Sequence, residues 1–158
     1  MKFLVDHMLG KLAKGLRMLG YDTLYSRGED SHRLLMLCRE QGRTLLTRNT
    51  KLVPESPEDQ IIHIRKDNPY LQMTDLLRDG HVSLQDENLF TRCLRCNTLL
   101  LEISRQEAQG RVPDFVYSHH MEFFQCPACR RIYWKGSHQT KMQQWIDSLK
   151  KEVPNPEA

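Results

Sequence analysis

Residues 2–20, KFLVDHMLGKLAKGLRMLG, decide the fold of the first half of the chain. The stretch begins as a short apolar run that ends in the carboxylate of Asp6, which predicts a buried strand leading into a loop. From Met8 onward the apolar residues recur at helical spacing, the basic residues fall on the other side, and Gly20 ends the helix. A buried strand followed at once by an amphipathic helix indicates an α/β fold.

The next seventy residues repeat this alternation. Further strands are predicted at residues 23–26, 44–47 and 61–64, with a loop containing two prolines before the last of them. Helices are predicted from Asp30 or Ser31 to Gly42, and over residues 70–78. The order β-α-β-α-β-β-α predicts a parallel sheet with helices on both faces.

The character of the sequence changes near residue 90. Four of the five cysteines follow this point, and no helical pattern returns until Gln139. We therefore expect an α/β domain over residues 1–90 and a zinc-ribbon domain over residues 91–150. Residues 151–158 are poor in apolar side chains and are expected to form a disordered tail.

The zinc prediction comes from two C-x-x-C pairs, Cys93/Cys96 and Cys126/Cys129. Two such pairs allow four thiolates to hold one tetrahedral zinc ion, and such a closed site stabilises a fold without doing chemistry. His119, His120 and His138 are alternative ligands, although exposed histidines in a loop explain them better, because the four thiolates already complete the zinc shell. The remaining cysteine, Cys38, fits the apolar face of the second helix as a small buried residue.

Composition and charge limit the possible functions. The 158-residue chain has a mean hydropathy of −0.60 and no apolar run long enough to cross a bilayer, and we expect a cytoplasmic protein without membrane contact. Residues 1–51 and 92–158 are basic whereas residues 52–91 are acidic, within a net charge of +3. Two basic segments suit a polyanionic partner, and an ordinary mixed solvated surface explains them equally well.

Acidic and amide side chains follow the predicted strands. Because the carboxyl ends of parallel strands meet at one crevice, these side chains are expected to lie near each other. Their oxygen atoms are the ligands that Mg²⁺ or Mn²⁺ prefers, and such a site assists phosphodiester hydrolysis. Helix capping is the competing explanation for Asp30 and turn formation for Asp67, whereas Asp6, at the end of an apolar strand, is hard to explain structurally. The residues concerned are Asp6, Glu29, Asp30, Asn49 and Asp67.

A basic run with interleaved aromatic residues, CRRIYWKGSH, surrounds the second cysteine pair at residues 129–138. Stacking on unpaired bases combined with phosphate contacts requires this pairing of residue types. The alternative is that Tyr133 and Trp134 alternate across a strand and one of them enters the ribbon core. The residues predicted to contact RNA, on the first helix, after the third strand and in this run, are Lys11, Lys14, Arg17, Arg48, Arg130, Arg131, Trp134, Lys135 and His138.

Four segments together resemble the Mut-seven C-terminal RNase domain family, a PIN-like nuclease fold joined to a zinc ribbon. They are FLVDHMLGKLAKGLRMLGYDT, LLTRN, RCLRCN and CPACRRIYWKGSH, and the resemblance covers roughly residues 2–145. It implies a metal-dependent ribonuclease that binds Mg²⁺ or Mn²⁺. Asp6 matches the first acid of the family, Asp30 the second, and Thr47 the hydroxyl residue before the third.

One position departs from the family pattern. The family usually has T-R-D where this chain has Thr47-Arg48-Asn49. An amide oxygen still binds a hard cation but contributes no charge, so metal affinity is expected to fall unless Asp67 compensates. Three hypotheses follow: a ribonuclease that uses Asp6, Asp30 and Asn49, a non-catalytic RNA-binding or adaptor protein, and a zinc-stabilised protein-interaction module. The exposed flank of the first helix also leaves a homo-oligomer or a protein partner open.

Overall fold

The computed structural model describes residues 1–135 and 137–154. The chain divides into two compact units, Met1–Phe90 and Thr91–Ala158. None of the helices in the described residues is long and apolar enough to span a membrane.

The first unit is an α/β unit built on a four-stranded sheet. All neighbouring strands are parallel, and their order is β2-β1-β3-β4. The element order and the parallel pairing confirm the prediction. The strands are β1 (Lys2–Val5), β2 (Asp22–Tyr25), β3 (Arg43–Thr47) and β4 (Ile61–His63), and the helices are α1 (Gly10–Met18), α2 (Ser31–Gln41) and α3 (Pro69–Arg78).

The centre of this sheet is buried on both faces. Successive side chains of β1 point to opposite faces, and Phe3, Leu4 and Val5 are all at most 2% exposed. Leu4 packs with Leu34 and other apolar residues of α2, whereas the Phe3 ring makes an edge contact with Tyr21. A strand that is covered on both faces reads as a continuous apolar run, which explains why residues 3–5 show no alternation.

No helix connects β3 to β4. The intervening residues 48–60 form a loop that is fastened to α2 by an ion pair between Arg39 and Asp59. Nε and Nη2 of Arg39 donate to the two carboxylate oxygens of Asp59 at 2.6 and 2.9 Å. The backbone N–H groups of Glu55 and Ser56 also donate to Asp59. These bonds, the Arg39 bond above all, lower the pKa of Asp59 to about 2.

Helix α1 corrects one prediction. A single 3-10 turn, His7–Leu9, precedes the α-helix, which begins at Gly10 rather than at Met8. Lys11 and Lys14 are exposed as predicted. The placement of Arg17 on the same exposed face is wrong: Arg17 is 8% exposed, and its Nε donates to the carbonyl oxygen of Thr23 at 2.9 Å. The last turn of α1 packs against β2, which turns this residue inward.

The second unit contains a three-stranded antiparallel sheet in the order β5-β6-β7, followed by one long helix. Its strands are β5 (Leu101–Ile103), β6 (Phe123–Gln125) and β7 (Ile132–Tyr133). Its helices are α4 (Arg105–Ala108), α5 (Asp114–His119) and α6 (Ser137–Glu152).

Two details of this unit differ from the prediction. Helices α4 and α5 lie in a stretch predicted to lack helices, because helices of four and six residues are too short to show a period. A side-chain cap starts α4, where Ser104 Oγ accepts from the Glu107 N–H. Helix α6 runs through Glu152, so the first two residues of the predicted tail are helical, and residues 155–158 lie outside the described residues.

Candidate zinc centre and candidate active site

The two cysteine pairs come together in the second unit. The Sγ atoms of Cys93, Cys96, Cys126 and Cys129 all lie within 4.8 Å of one another. A zinc–sulfur bond of about 2.3 Å in a regular tetrahedron places sulfur atoms about 3.8 Å apart. The Sγ atoms of Cys93 and Cys129 are 3.8 Å apart. The geometry therefore fits one tetrahedral zinc ion.

The two cysteine turns have the same local structure. The residue after each pair, Asn97 or Arg130, has a φ of 68° and donates its N–H to the carbonyl oxygen of the first cysteine at 2.8 Å. In each turn the N–H of the second cysteine points at the sulfur of the first, at 3.4 Å. Two equivalent turns that direct N–H groups at sulfur are suited to stabilising thiolates.

The hydroxyl of Tyr133 lies 3.0 Å from Sγ of Cys93. Burial raises the pKa of the Cys93 thiol, but hydrogen bonds from this hydroxyl and from backbone N–H groups outweigh burial and bring the pKa to about 7. The pKa of Cys96 is raised to about 12, first by its hydrogen bond with Cys129 and then by burial. Thiols this close resist full ionisation without a cation between them, and a zinc ion would supply that cation. No sequence pattern signals this role of Tyr133.

His119 and His120 do not join this centre, and the side chain of His138 lies outside the described residues. Across the described part of the chain, the four cysteines are the only cluster of three or more histidine, cysteine or acidic side chains with metal-binding spacing. Nδ1 of His119 lies 2.8 Å from the carbonyl oxygen of Phe115, within its own helix. Cys38 is buried, and burial raises its pKa to about 11, as expected for an unreactive core thiol.

At the carboxyl edge of the first unit's sheet, Asp6 lies between the ends of β2 and β3. The Asp6 N–H donates to Leu46 O and the Ser26 N–H to Val5 O, both at 2.9 Å, so the ladders continue one residue past β1 and β2. The Asp6 side chain is nearly buried, and its Oδ2 accepts a 2.7 Å hydrogen bond from Oγ1 of Thr47. Asp6 and Thr47, which the family resemblance assigned to one site, therefore meet.

His7 was not singled out from the sequence. Its backbone N–H donates to Oδ1 of Asp6 at 2.7 Å, and its Nδ1 lies 2.9 Å from the same oxygen. The His7 side chain is 58% exposed, and the hydroxyl of Tyr25 donates to the His7 carbonyl. The only feature of the sequence that pointed to His7 was its position directly after Asp6.

The other predicted oxygen ligands have local partners. Asp30 caps α2 by accepting from the Arg33 N–H at 2.9 Å, and Oδ1 of Asn49 accepts from the Lys51 N–H at 3.1 Å. The Asp67 carboxylate is 93% exposed and lies 2.5 Å from the Arg48 guanidinium.

Glu29 accepts a hydrogen bond from Ser26, which is the main cause of its lowered pKa. Within the described residues no three carboxylates gather at metal-binding spacing, so the expectation that the acids converge is not met. The reason is that capping, turn formation and an ion pair already hold these groups in place.

The structure divides the predicted RNA-contacting residues into three groups. Lys11, Lys14, Arg130, Arg131 and Lys135 are exposed. Arg48 is half-buried and bonded to Asp67 and to the Lys66 carbonyl, and Trp134 is half-buried against the core cluster around Phe123. Arg17 is buried, and the side chain of His138 lies outside the described residues.

One exposed aromatic residue was missed in the sequence. The Phe115 ring is 70% exposed and stacks on His119 with a centroid distance of 4.0 Å. The sequence patterns placed the exposed aromatic residues around 133–134 instead, where the side chains have partners within their own unit.

Comparison with known proteins gives one match. A family model described as the Mut7-C RNAse domain matches residues 1–146. Searches of curated proteins and of solved structures find no match.

Proposed function

The chain belongs to the Mut7-C RNase domain family, and from that premise we propose that it is a metal-dependent ribonuclease with Asp6 at its active site. The observation that carries this proposal is the buried carboxylate of Asp6, held by Thr47 at the carboxyl edge of a parallel sheet. Ligands of open α/β sheets bind at this edge. Carboxylates that are buried in proteins are usually paired or coordinate a metal ion.

The metal in this proposal is Mg²⁺ or Mn²⁺. Asp6 would supply an oxygen ligand, the type these ions prefer, and Asp30 and Asn49, which follow β2 and β3, would join it only on leaving their cap and turn hydrogen bonds. Such an ion shields phosphate charge and lowers the pKa of water during phosphodiester hydrolysis. Thr47 keeps Asp6 oriented, and Asp67, which is paired with Arg48, has no role in this proposal.

The zinc centre has a structural role in the same proposal. All four coordination positions are filled by cysteine sulfur, so no position is left for substrate or water. We expect zinc to hold the short strands of the second unit together and to leave the chemistry to the first unit.

The test is cleavage of labelled single-stranded and structured RNA with Mg²⁺, Mn²⁺ or EDTA. Asp6→Asn is expected to lower the rate at least about a hundredfold, which corresponds to about 2.7 kcal/mol of transition-state stabilisation. Asp79→Asn is the matched control, because this exposed acid follows α3 and contacts none of the site residues named here. Full activity of Asp6→Asn in zinc-loaded, nuclease-free protein would remove Asp6 from the active site.

A second candidate function is RNA binding without cleavage. Asn49 favours it, because this amide stands where the family usually has an acid and its oxygen already accepts the Lys51 N–H. An uncharged ligand weakens a site for a hard divalent cation. If Asn49→Asp cuts RNA and the natural protein only binds it, this second function is the correct one.

The cellular location and the protein partners stay predictions. A homo-oligomer or a protein partner is best tested by measuring the mass of the purified protein in solution.

A further inference from the structure

We propose that Arg27, Lys51 and Arg65 form a phosphate-binding rim for RNA along the carboxyl edge of the first unit's sheet. The inference rests on the proposed RNA substrate and adds the surface that holds its backbone. None of the three residues belongs to the set that the sequence patterns predicted to contact RNA.

The parallel topology places the three residues at one edge. Arg27 follows β2 by two residues, Lys51 follows β3 by four, and Arg65 follows β4 by two. β2 and β4 are the outer strands of the sheet, so three strand spacings of about 4.8 Å separate them. The rim therefore spans about 14 Å, and the end of β1 with Asp6 lies inside that span.

Arg27 stands on a rigid turn. The Arg27 N–H donates to Oε2 of Glu29 at 2.9 Å, and Oγ of Ser26 donates to the same oxygen at 2.7 Å. The Gly28 N–H donates to Ser26 Oγ, which closes the turn. These bonds fix the backbone while the Arg27 side chain stays exposed.

Lys51 stands on a second fixed turn. Its N–H donates to Oδ1 of Asn49, and the Asn49 N–H donates to Oγ1 of Thr47, the hydroxyl that also holds Asp6. The next residue, Leu52, is buried in the core, and its carbonyl oxygen lies 3.0 Å from Nε2 of His63. Lys51 is thus an exposed cation fixed between the ends of β3 and β4.

Arg65 directly follows Ile64, a buried residue that is hydrogen-bonded to β3. Ile64 is 8% exposed, and its N–H donates to the carbonyl oxygen of Thr47 at 2.8 Å. This bond continues the β3–β4 ladder past its last strand residue. The Arg65 side chain, by contrast, is exposed.

Within the part of the chain that the structure describes, the rim cations lack ion-pair partners, whereas Asp6, the acid inside their span, already accepts hydrogen bonds from Thr47 and the His7 N–H. Among the described residues, no ion pair or side-chain hydrogen bond joins Arg27, Lys51 or Arg65 to another residue. Acids on the same loops have partners: Asp67 pairs with Arg48, and Asp59 with Arg39. Glu29 and Asp30 remain on the β2 side, where they accept N–H groups of their own turn. Cations on preordered backbone suit a phosphate chain, because little ordering is required when it binds.

The test measures the affinity of a labelled single-stranded RNA at several salt concentrations, without added Mg²⁺ or Mn²⁺ and with the RNA verified as intact afterwards. The rim variant is Arg27→Gln/Lys51→Gln/Arg65→Gln. A control of equal charge change is Lys2→Gln/Arg78→Gln/Arg111→Gln, which alters two exposed cations of the first unit that do not follow the carboxyl ends of its strands and one exposed cation of the second unit. A third variant, Lys11→Gln/Lys14→Gln, examines the exposed face of α1. Zinc content and thermal unfolding confirm that each protein is folded.

For single strands, each lost phosphate contact lowers the salt slope by about 0.7, so the rim variant is expected to lose about 2 from the slope. Its affinity is expected to fall tenfold or more at low salt, whereas the control stays near the natural protein. An unchanged slope, or an equal loss in the control, would overturn the rim. If the natural protein cuts RNA and the rim variant binds normally, only this inference fails. If the natural protein neither binds nor cuts RNA, the proposed function fails as well.

Discussion

The hydroxyl of Thr47 donates a 2.7 Å hydrogen bond to Oδ2 of Asp6 and so joins the carboxyl ends of β3 and β1. Both residues are buried, so the carboxylate cannot replace this donor with bulk water. Thr47→Val keeps the side-chain shape and removes the donor. We expect it to lower the free energy of unfolding by about 1–3 kcal/mol, measured by urea denaturation.

Thr47→Ser is the matched control for this prediction, because it keeps the hydroxyl and removes one methyl group. Thr47→Ser should keep most of the stability that Thr47→Val loses, and most of any RNA cleavage. Equal losses in the two variants would show that the hydrogen bond contributes no more to stability than the methyl group does.

The four-cysteine centre predicts about one zinc per chain. Cys129→Ser is expected to lose that zinc, measured by metal analysis of the purified protein, and to loosen the second unit. Cys38→Ser is the control, because Cys38 is buried in the first unit, outside the cluster. Zinc retained at full occupancy in Cys129→Ser would contradict the assignment of the four ligands.

The Tyr133 hydroxyl is predicted to strengthen zinc binding. It lies 3.0 Å from Sγ of Cys93, and outer partners of this kind typically change metal affinity by about 10–100-fold. We expect Tyr133→Phe to bind zinc more weakly than the natural protein does. A competing chelator should therefore remove the zinc from this variant at a lower concentration. Tyr117→Phe is a suitable control, because that ring packs on Phe123 in the same unit. Identical chelator titrations for both variants would exclude a role for the hydroxyl.

The Arg39–Asp59 ion pair predicts an acid-dependent loss of stability. The Asp59 carboxyl has an ordinary pKa of 3.8 and a pKa of about 2 in the folded protein, chiefly because of its hydrogen bond from Arg39. Between these pH values the unfolded chain binds a proton that the folded protein does not. The stabilisation is therefore complete above about pH 4 and is lost as the pH falls towards 2.

Urea midpoints measured from pH 5 to pH 2 check this prediction. Asp59→Asn should flatten the acid side of the profile, whereas Asp79→Asn, a change at an exposed acid, should leave it as it is. If the urea midpoints of the natural protein and of Asp59→Asn fall in parallel as the pH is lowered, the Arg39–Asp59 pair does not contribute to the pH dependence.

The sequence predicted most of the first unit because its signals are local and strong. Phe3, Leu4 and Val5 form an apolar run typical of a doubly covered strand, and the pattern in α1 repeats over enough residues to show its period. The cysteine pairs were equally clear, because ligand spacing is a property of the chain itself.

The parts that could not be predicted depend on contacts between distant residues. The Tyr133 hydroxyl reaches Cys93 only after two strands and two turns have formed, and nothing in the run around residue 133 signals this. For Asp30 and Asp67 the sequence suggests a role that the structure does not show. Each has the residue type of a metal ligand, but a helix cap and an ion pair decide its actual contacts. A linear pattern does not separate these roles, because all of them use a carboxylate at the end of an element.

Arg17 and Lys14 both lie on α1, but only Arg17 is predicted to contribute to the stability of the protein. Arg17 is buried and donates to Thr23 O at 2.9 Å, whereas Lys14 is exposed one turn earlier. We expect Arg17→Gln to lower the free energy of unfolding by about 1–3 kcal/mol, since it removes a charged donor from a buried carbonyl. Lys14→Gln should change it by less than about 0.5 kcal/mol. Urea denaturation measures both, and equal stabilities would show that the inward bond of Arg17 contributes nothing to the α1–β2 contact.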